Sequence, residues 1–255
     1  MSRPSDTRPK LSPTKLIIFD CDGVLVNSEE IYQATELEYL AAAGITFEPS
    51  AYTQAFMGLA PAMWQAKLEA IGQERAKPLS PLFFEQLAGH TNERLRKDLA
   101  ALPDARNVIS RLPASICVAS STSLAQLRWK LEHTGLIDLF DPHVFSSDMV
   151  VNGKPEPDLF LHAAGTMGVH PGECIVVEDS VNGVLAGKAA GMRVIGFTAG
   201  NHCTGTHGDA LLRHGADALV DAYEDLEVTL ARLQIRSVDA ASRPERCPPP
   251  DPDLS

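Results

Sequence analysis

Residues 15–25 read KLIIFDCDGVL, an apolar run that ends in two aspartates, Asp20 and Asp22, followed by Gly23. A short apolar run of this kind is typical of a strand that is buried on both faces of a parallel sheet. Carboxylates directly after such a strand are costly to bury. The stretch therefore indicates either a solvated turn completed by Gly23 or a functional site at the strand end, and the other strands decide between them.

Similar apolar runs recur along the chain. Strands are predicted at Lys15–Phe19, Ser115–Ala119, Cys174–Glu178 and Arg193–Phe197, with weaker candidates at His143–Phe145 and Ala218–Val220. Helical patterns lie between them, at Ser123–Thr134, Asp158–Met167 and Asn182–Ala190. Alternation of strand and helix predicts an α/β fold, a doubly wound parallel sheet with helices on both faces.

The segment between the first two strong strands differs from the rest. Helical patterns cover Glu29–Ala43, Pro61–Gly72 and Ser80–Leu99, and no convincing strand interrupts them. We therefore predict an all-helical cap, residues 29–102, inserted after the first strand into an α/β catalytic core of residues 14–28 and 103–235. The insert lies at the carboxyl end of that strand, where α/β sheets bind ligands. The proline-rich ends, residues 1–13 and 236–255, are expected to be a disordered leader and tail.

Composition narrows the classes of partner. The formal charge of -11 gives the chain no general attraction for nucleic acid or an anionic membrane. An anionic substrate would need a local cation, either a metal ion or a positioned lysine. The five cysteines form no CxxC pair, and there is no signal-peptide pattern or membrane-spanning run. We expect a cytoplasmic protein with reduced thiols, a monomer or small homo-oligomer.

Polar residues also follow the later strands. Ser120 and Ser121 follow the second strong strand, Glu178 and Asp179 end the third, and Lys154 lies in the segment NGKPEPD. Because the carboxyl ends of parallel strands meet at one edge, we expect these side chains to gather there with the first two aspartates. Crowded carboxylates need a cation, and Mg²⁺ prefers oxygen ligands and keeps coordination positions for phosphate.

Four segments in chain order, DCDGVLVNSE, ASST, GKPEPD and VVEDSVNG, together resemble the motifs of the haloacid dehalogenase superfamily. They are most similar to its phosphatase and phosphomutase branch with a helical cap, the β-phosphoglucomutase-like group. The resemblance covers about residues 15–230. It implies a Mg²⁺-dependent phosphatase that hydrolyses a small phosphomonoester through an aspartyl-phosphate. Candidate substrates are a sugar phosphate, a sugar-acid phosphate or a phosphorylated acid such as phosphoglycolate.

The resemblance also implies a role for each matched residue. Asp20 would attack phosphorus, and Asp22 would protonate the leaving oxygen and then activate water. Ser120, Ser121 and Gly23 would bind the phosphate. Lys154 would bridge the nucleophile and the phosphate and offset negative charge in the transition state.

The implied metal ligands come from both strand ends. Asp20 would bind Mg²⁺ through its carboxylate and Asp22 through its backbone carbonyl, with Asp179 as the third protein ligand. Glu178 would lie just outside this set or bind through water. The presence of an acid at position 22 favours cleavage of a P–O bond to an alcohol.

Substrate choice is expected to lie in the cap, where Glu29 and Tyr32 are candidate contacts. Relatives of the β-phosphoglucomutase type resemble this pattern but carry a cap arginine three residues after a glycine, for a second phosphate. Here the matching segment, residues 57–61, reads MGLAP, with proline at that position. This favours a phosphatase over a sugar phosphomutase, unless Lys67, Arg75 or Lys77 supplies the charge.

Two further alternatives follow from the sequence. A non-catalytic binding module on this fold would be expected to lack Asp20, Asp22 or Lys154, and all three are present. The segment with His202, Cys203 and His207 has no tetrahedral metal-ligand spacing. We expect it to be a loop that shapes the mouth of the site.

Overall fold

The computed structural model describes residues 14–56, 59, 61–203 and 205–240. Its strands are β1 (Leu16–Phe19), β2 (Ser115–Ser120), β3 (Val144–Ser146), β4 (Cys174–Glu178), β5 (Arg193–Phe197) and β6 (Ala218–Val220). They form one parallel sheet in the order β3-β2-β1-β4-β5-β6. The predicted α/β class is confirmed, and both weaker strand candidates are strands, the first shifted by one residue.

The helices cover the cap segment and both faces of the sheet. They are α1 (Ser28–Ala42), α2 (Pro49–Phe56), α3 (Pro61–Glu74), α4 (Pro81–Asp98), α5 (Ala105–Ile109), α6 (Leu124–His133), α7 (Ile137–Phe140), α8 (Asp158–Thr166), α9 (Val181–Ala189), α10 (His207–Arg213) and α11 (Leu226–Ala240). None of the helices in these residues is long and apolar enough to cross a bilayer.

Strand β1 lies in the middle of the sheet and is buried on both faces. Its side chains alternate, as a strand requires: Ile17 and Phe19 join one apolar cluster, and Leu16 and Ile18 join the other. This central place explains why the run is continuously apolar. It also puts Asp20, the residue after the strand, in the middle of the edge where the strands end.

The described residues of the cap segment form helices α1 to α4 with loops between them and no strand, and they have an apolar cluster of their own, with Leu40, Tyr52 and Phe56 among its buried members. Sequence patterns predicted three of its four helices. They missed α2, which is only eight residues long and contains Ser, Tyr and Thr, residues of modest helix propensity. It is held by packing against the rest of the cap.

The two linkers between cap and core run side by side. The Asn27 backbone N donates to Ala100 O (3.1 Å), and its side-chain Oδ1 accepts from Ala100 N (2.9 Å). Leu102 N donates to Leu25 O (2.9 Å). The Asn27 side chain makes no capping bond to α1 and holds the second linker instead.

The structure describes the predicted boundary of the C-terminal tail but not the predicted leader. Helix α11 runs to Ala240, beyond the predicted tail boundary at residue 236. The leader, residues 1–13, and the residues after 240 lie outside the described part of the chain. Of the cysteines, Cys21, Cys117, Cys174 and Cys203 are free thiols, and Cys247 lies outside it.

Candidate active site

Three carboxylates meet at the edge of the sheet. Strands β1 and β4 are neighbours with Phe19 opposite Val177, so Asp20 emerges beside the end of β4. As a result, Asp20, Glu178 and Asp179 each place a carboxylate oxygen within 4.8 Å of the others, and all three residues are buried. This is the convergence that the strand-end pattern predicts.

Lys154 lies against this cluster. Its Nζ donates to Asp20 Oδ1 (2.6 Å), Glu178 Oε1 (2.6 Å) and the Ala119 carbonyl (3.1 Å), and its side chain is 4% exposed. Burial raises the pKa of Asp20 well above its ordinary value, and neighbouring carboxylates add to this, while the Lys154 charge only partly offsets it. Burial and Glu178 likewise raise the pKa of Asp179.

The donor set fits a hard divalent cation. One lysine faces three buried carboxylates, so negative charge is in excess, and the candidate ligand atoms of Asp20, Glu178 and Asp179 are all carboxylate oxygens. Oxygen donors of this kind suit Mg²⁺. The residues present therefore fit the metal that the sequence predicts, with Asp20, Asp179 and Glu178 as candidate ligands.

The Asp22 carboxylate does not join this cluster. It pairs with Lys130 Nζ and accepts hydrogen bonds from Ser28 Oγ, Thr122 Oγ1 (2.7 Å) and Ser120 Oγ (3.3 Å). Burial alone would raise the pKa of Asp22, but the Lys130 charge and these hydrogen bonds outweigh it and lower the pKa to about 2. Asp22 is therefore a carboxylate in this arrangement, and only its backbone carbonyl remains as the predicted metal ligand.

Lys130 is a site residue that the sequence analysis missed. It lies on α6, is 1% exposed, and its ammonium is 5.4 Å from the centre of the Tyr32 ring. The one feature of the sequence that points to Lys130 is its position on the helix. It shares the buried face of α6 with Leu127 and Leu131. A lysine at a core-facing position indicates a buried anionic partner, but the pattern does not identify Asp22.

Two glycines make room for the carboxylates. Gly23 has a φ of 75°, and a Cβ there would lie 1.9 Å from Asp179 Oδ2. A Cβ on Gly183, in α9, would lie 1.8 Å from Glu178 Oε1. Both positions therefore need glycine, because a side chain there would collide with the neighbouring carboxylate. The phosphate-binding role expected of Gly23 stays a prediction, since Gly23 lies against Asp179 and does not line the cavity described below.

The loop after β5 packs against Asp179. His202 Nε2 lies 2.8 Å from Asp179 Oδ2, and His207 Nε2 lies 2.6 Å from the Asp179 carbonyl oxygen. Cys203 Sγ lies 3.2 Å from His202 Nε2. Burial lowers the pKa of His202, which favours a neutral ring. The sequence pointed to a loop at the mouth of the site. It gave no sign of contact with Asp179, which comes from a distant segment.

A cavity of about 910 Å³ joins the sheet edge to the cap. Nearly all predicted site residues line it: Asp20, Asp22, Glu29, Tyr32, Ser120, Ser121, Lys154, Glu178 and Asp179. Glu29 stands close enough to the cluster that burial, with the charges of Asp179 and Asp22, raises its pKa to about 8.

The cap lysines and arginine considered for a second phosphate lie elsewhere. Lys67 Nζ donates to Ala55 O (2.7 Å), Arg75 to Thr46 O (3.2 Å) and Lys77 to Gly44 O (2.7 Å), and none of the three lines the cavity. Of the segment predicted to replace the arginine motif, Leu59 lines the cavity. Residues 57, 58 and 60 lie outside the described residues.

Comparison with known proteins agrees with the fold. A family model described as a haloacid dehalogenase-like hydrolase matches residues 14–191, a span that includes all four motifs. This chain belongs to that family. The resemblance predicted from the motifs is confirmed.

Curated and solved members of the haloacid dehalogenase-like family extend the match. The chain is 30% identical to a 6-phosphogluconate phosphatase of Escherichia coli over 193 residues, 75% of this chain and 86% of that protein. It is 34% identical to a probable pseudouridine-5'-phosphatase of Drosophila melanogaster over 186 residues, 70% of this chain and 79% of that protein. A haloacid dehalogenase-like protein of unknown function from Agrobacterium tumefaciens superposes with a TM-score of 0.80 at 37% identity, covering 86% of this chain and 98% of that one.

Proposed function

We propose that this chain is a Mg²⁺-dependent phosphatase that hydrolyses a small phosphomonoester through an aspartyl-phosphate on Asp20. The observation that carries the proposal is the placement of Asp20. Its carboxylate lies on the cavity wall, 2.6 Å from Lys154 Nζ, within a buried cluster of carboxylates. Two curated relatives with phosphatase names support a phosphoric monoester hydrolase.

In the first step an Asp20 carboxylate oxygen attacks phosphorus, and the bond from phosphorus to the ester oxygen breaks. The leaving oxygen takes a proton from Asp22 and departs as an alcohol. Asp22 must be protonated for this step, so its bond to Lys130 has to loosen when substrate enters. Lys154 offsets negative charge as it builds up on the phosphoryl oxygens.

In the second step Asp22 acts as a carboxylate, the form that its pairing with Lys130 favours. It takes a proton from water, whose oxygen attacks the phosphorus of the aspartyl-phosphate. The bond to Asp20 breaks, so phosphate is released and both aspartates are restored. Bound Mg²⁺ would neutralise charge on the phosphate and the carboxylates, held by Asp20 and Asp179 with Glu178 beside them.

The cavity lining favours hydrolysis over the phosphomutase alternative. A mutase that handles a bisphosphate needs a cation at the far end of the site. Among the described lining residues the one lysine or arginine is Lys154, at the sheet edge. A non-catalytic binding role is disfavoured because Asp20, Asp22 and Lys154 are all present and all reach the cavity.

The test is phosphate release from a panel of phosphomonoesters, measured with Mg²⁺ and with excess chelator. We expect release that requires the metal. β-Glucose 1-phosphate belongs in the panel, because its conversion to glucose 6-phosphate without net phosphate release would support the mutase instead. Metal-independent turnover would contradict the proposed chemistry.

A further inference from the structure

The cavity has two ends of different chemistry. The sheet edge contributes carboxylates, hydroxyls and Lys154. The cap end is lined by one face of α1, through Glu29, Tyr32, Gln33 and Glu36, which share a side of the helix because they lie three or four residues apart. Two of these four side chains carry carboxyl groups, in a site that binds an anion. Burial raises the pKa of Glu29 to about 8 and that of Glu36 to about 7, so both groups are charged only above about pH 8.

Glu36 is held in place by two aromatic side chains of the cap. Trp64 Nε1 donates to Tyr52 Oη (3.0 Å), and Tyr52 Oη donates to Glu36 Oε2 (2.7 Å). Both rings line the same cavity. The other oxygen, Oε1, accepts no hydrogen bond from the described residues. The carboxylate is therefore oriented by the protein and keeps an oxygen for a ligand.

Among the described residues that line the cap end, none carries a positive charge. Within the described lining, Lys154 is the one lysine or arginine, and it is paired with Asp20 and Glu178. The internal residues that the structure does not describe, at positions 57, 58, 60 and 204, are uncharged in the sequence. A second anionic group on a substrate would therefore find no cation at the cap end and, above the pKa values of the two glutamates, would meet like charge.

We propose that Glu29 and Glu36 are specificity-determining residues that select a phosphomonoester whose other end is neutral and rich in hydroxyl groups, a sugar or sugar alcohol. Substrate hydroxyls donate to the carboxylate oxygens, and the apolar faces of the carbon chain pack against Trp64 and Phe84, which line the cavity. Sugar-acid phosphates, phosphoglycolate and bisphosphates are disfavoured by charge. The inference rests on the proposed function and narrows its substrates.

The experiment compares two six-carbon phosphates that differ only at the end far from phosphate. Sorbitol 6-phosphate carries a CH₂OH there, and 6-phosphogluconate carries a carboxylate. Two like charges 4 Å apart repel enough even in water to change an equilibrium by a factor of about five to ten, and by more where water is partly excluded. At about pH 9, where Glu29 and Glu36 are both charged, we expect kcat/KM for sorbitol 6-phosphate to exceed that for 6-phosphogluconate by about tenfold or more.

Two variants assign the preference to Glu36. Glu36→Gln removes the charge at constant shape and should shrink the kcat/KM ratio by about fivefold or more. Glu38→Gln is the matched control on the same helix, because Glu38 is 65% exposed and pairs with Arg94 on the surface. It should leave the ratio unchanged. p-Nitrophenyl phosphate, which lacks a polyol, reports general phosphatase activity in each protein.

The outcomes separate the two proposals. A preference for sorbitol 6-phosphate over 6-phosphogluconate that is weaker in Glu36→Gln and unchanged in Glu38→Gln supports the inference. The inference is overturned if the wild type turns over 6-phosphogluconate as well as sorbitol 6-phosphate or better, or if Glu36→Gln leaves the ratio of the two kcat/KM values unchanged. In either case, turnover of p-nitrophenyl phosphate would still support the proposed phosphatase function. Failure of the wild type to release phosphate from all three compounds with Mg²⁺ overturns the proposed function, and this inference falls with it.

Discussion

Replacing Lys130 by methionine tests the buried ion pair with Asp22. The Lys130 side chain is 1% exposed and that of Asp22 is 12% exposed, so the substitution leaves a buried carboxylate without its counter-charge. Breaking a buried pair typically costs about 3–5 kcal/mol. The hydroxyls of Ser28 and Thr122 still donate to Asp22, so we take the lower end, ~3 kcal/mol. For a chain of this size that lowers the Tm by about 6–12 °C.

The assay is thermal and urea unfolding of four proteins: wild type, Lys130→Met, Asp22→Asn and the double variant. We expect the double variant to regain more than half of the lost stability, because the amide leaves no unpaired charge. Lys97→Met is the matched control at an exposed helix position, with an expected change within about 0.5 kcal/mol. A loss below about 1 kcal/mol in Lys130→Met, or no recovery in the double variant, would refute the argument.

Three further predictions concern the carboxylates at the edge of the sheet. Asp22→Asn should slow phosphate release severely while Mg²⁺ affinity, measured by titration calorimetry, stays nearly intact, because the proposed ligand is its backbone carbonyl; lost metal binding would contradict that role. Gly23→Ala should abolish activity and lower the Tm, since its Cβ would lie 1.9 Å from Asp179 Oδ2; a fully active variant would show that the loop has room. The folded-state pKa values of Asp20 and Asp179 are raised above 3.8, so the metal-free fold holds protons that the unfolded chain releases, and its stability should fall as pH rises above about 4. Mg²⁺ should then raise the Tm more at pH 8 than at pH 5, and an equal rise at both would contradict this.

The sheet follows closely from the sequence because its strands are buried on both faces. Continuous apolar runs such as Cys174–Glu178 and Arg193–Phe197 are strands with the predicted bounds. The residues after them gather at one edge because the sheet is parallel. The grouping of these site residues can therefore be predicted from the order of the strands alone. The cap was recognisable as helical, but α2 was too short for its periodicity to stand out from a loop.

The residues that the sequence did not reveal belong to contacts between distant segments. Lys130 meets Asp22 across 108 positions of the chain, and His202 meets Asp179 through a loop whose conformation no local pattern fixes. A lysine on the apolar face of a helix can be noticed from periodicity. Its partner depends on how α6 packs against the sheet, which is a property of the folded structure.

Phosphate release by Asp20→Asn tests whether Asp20 is the nucleophile. Its burial and raised pKa mean that an amide should fit this place without loss of stability, so an unchanged Tm would show that the variant is folded. We predict that phosphate release in the presence of Mg²⁺ falls below about one thousandth of the wild-type rate. Release within about tenfold of the wild type by a folded Asp20→Asn protein would contradict the account.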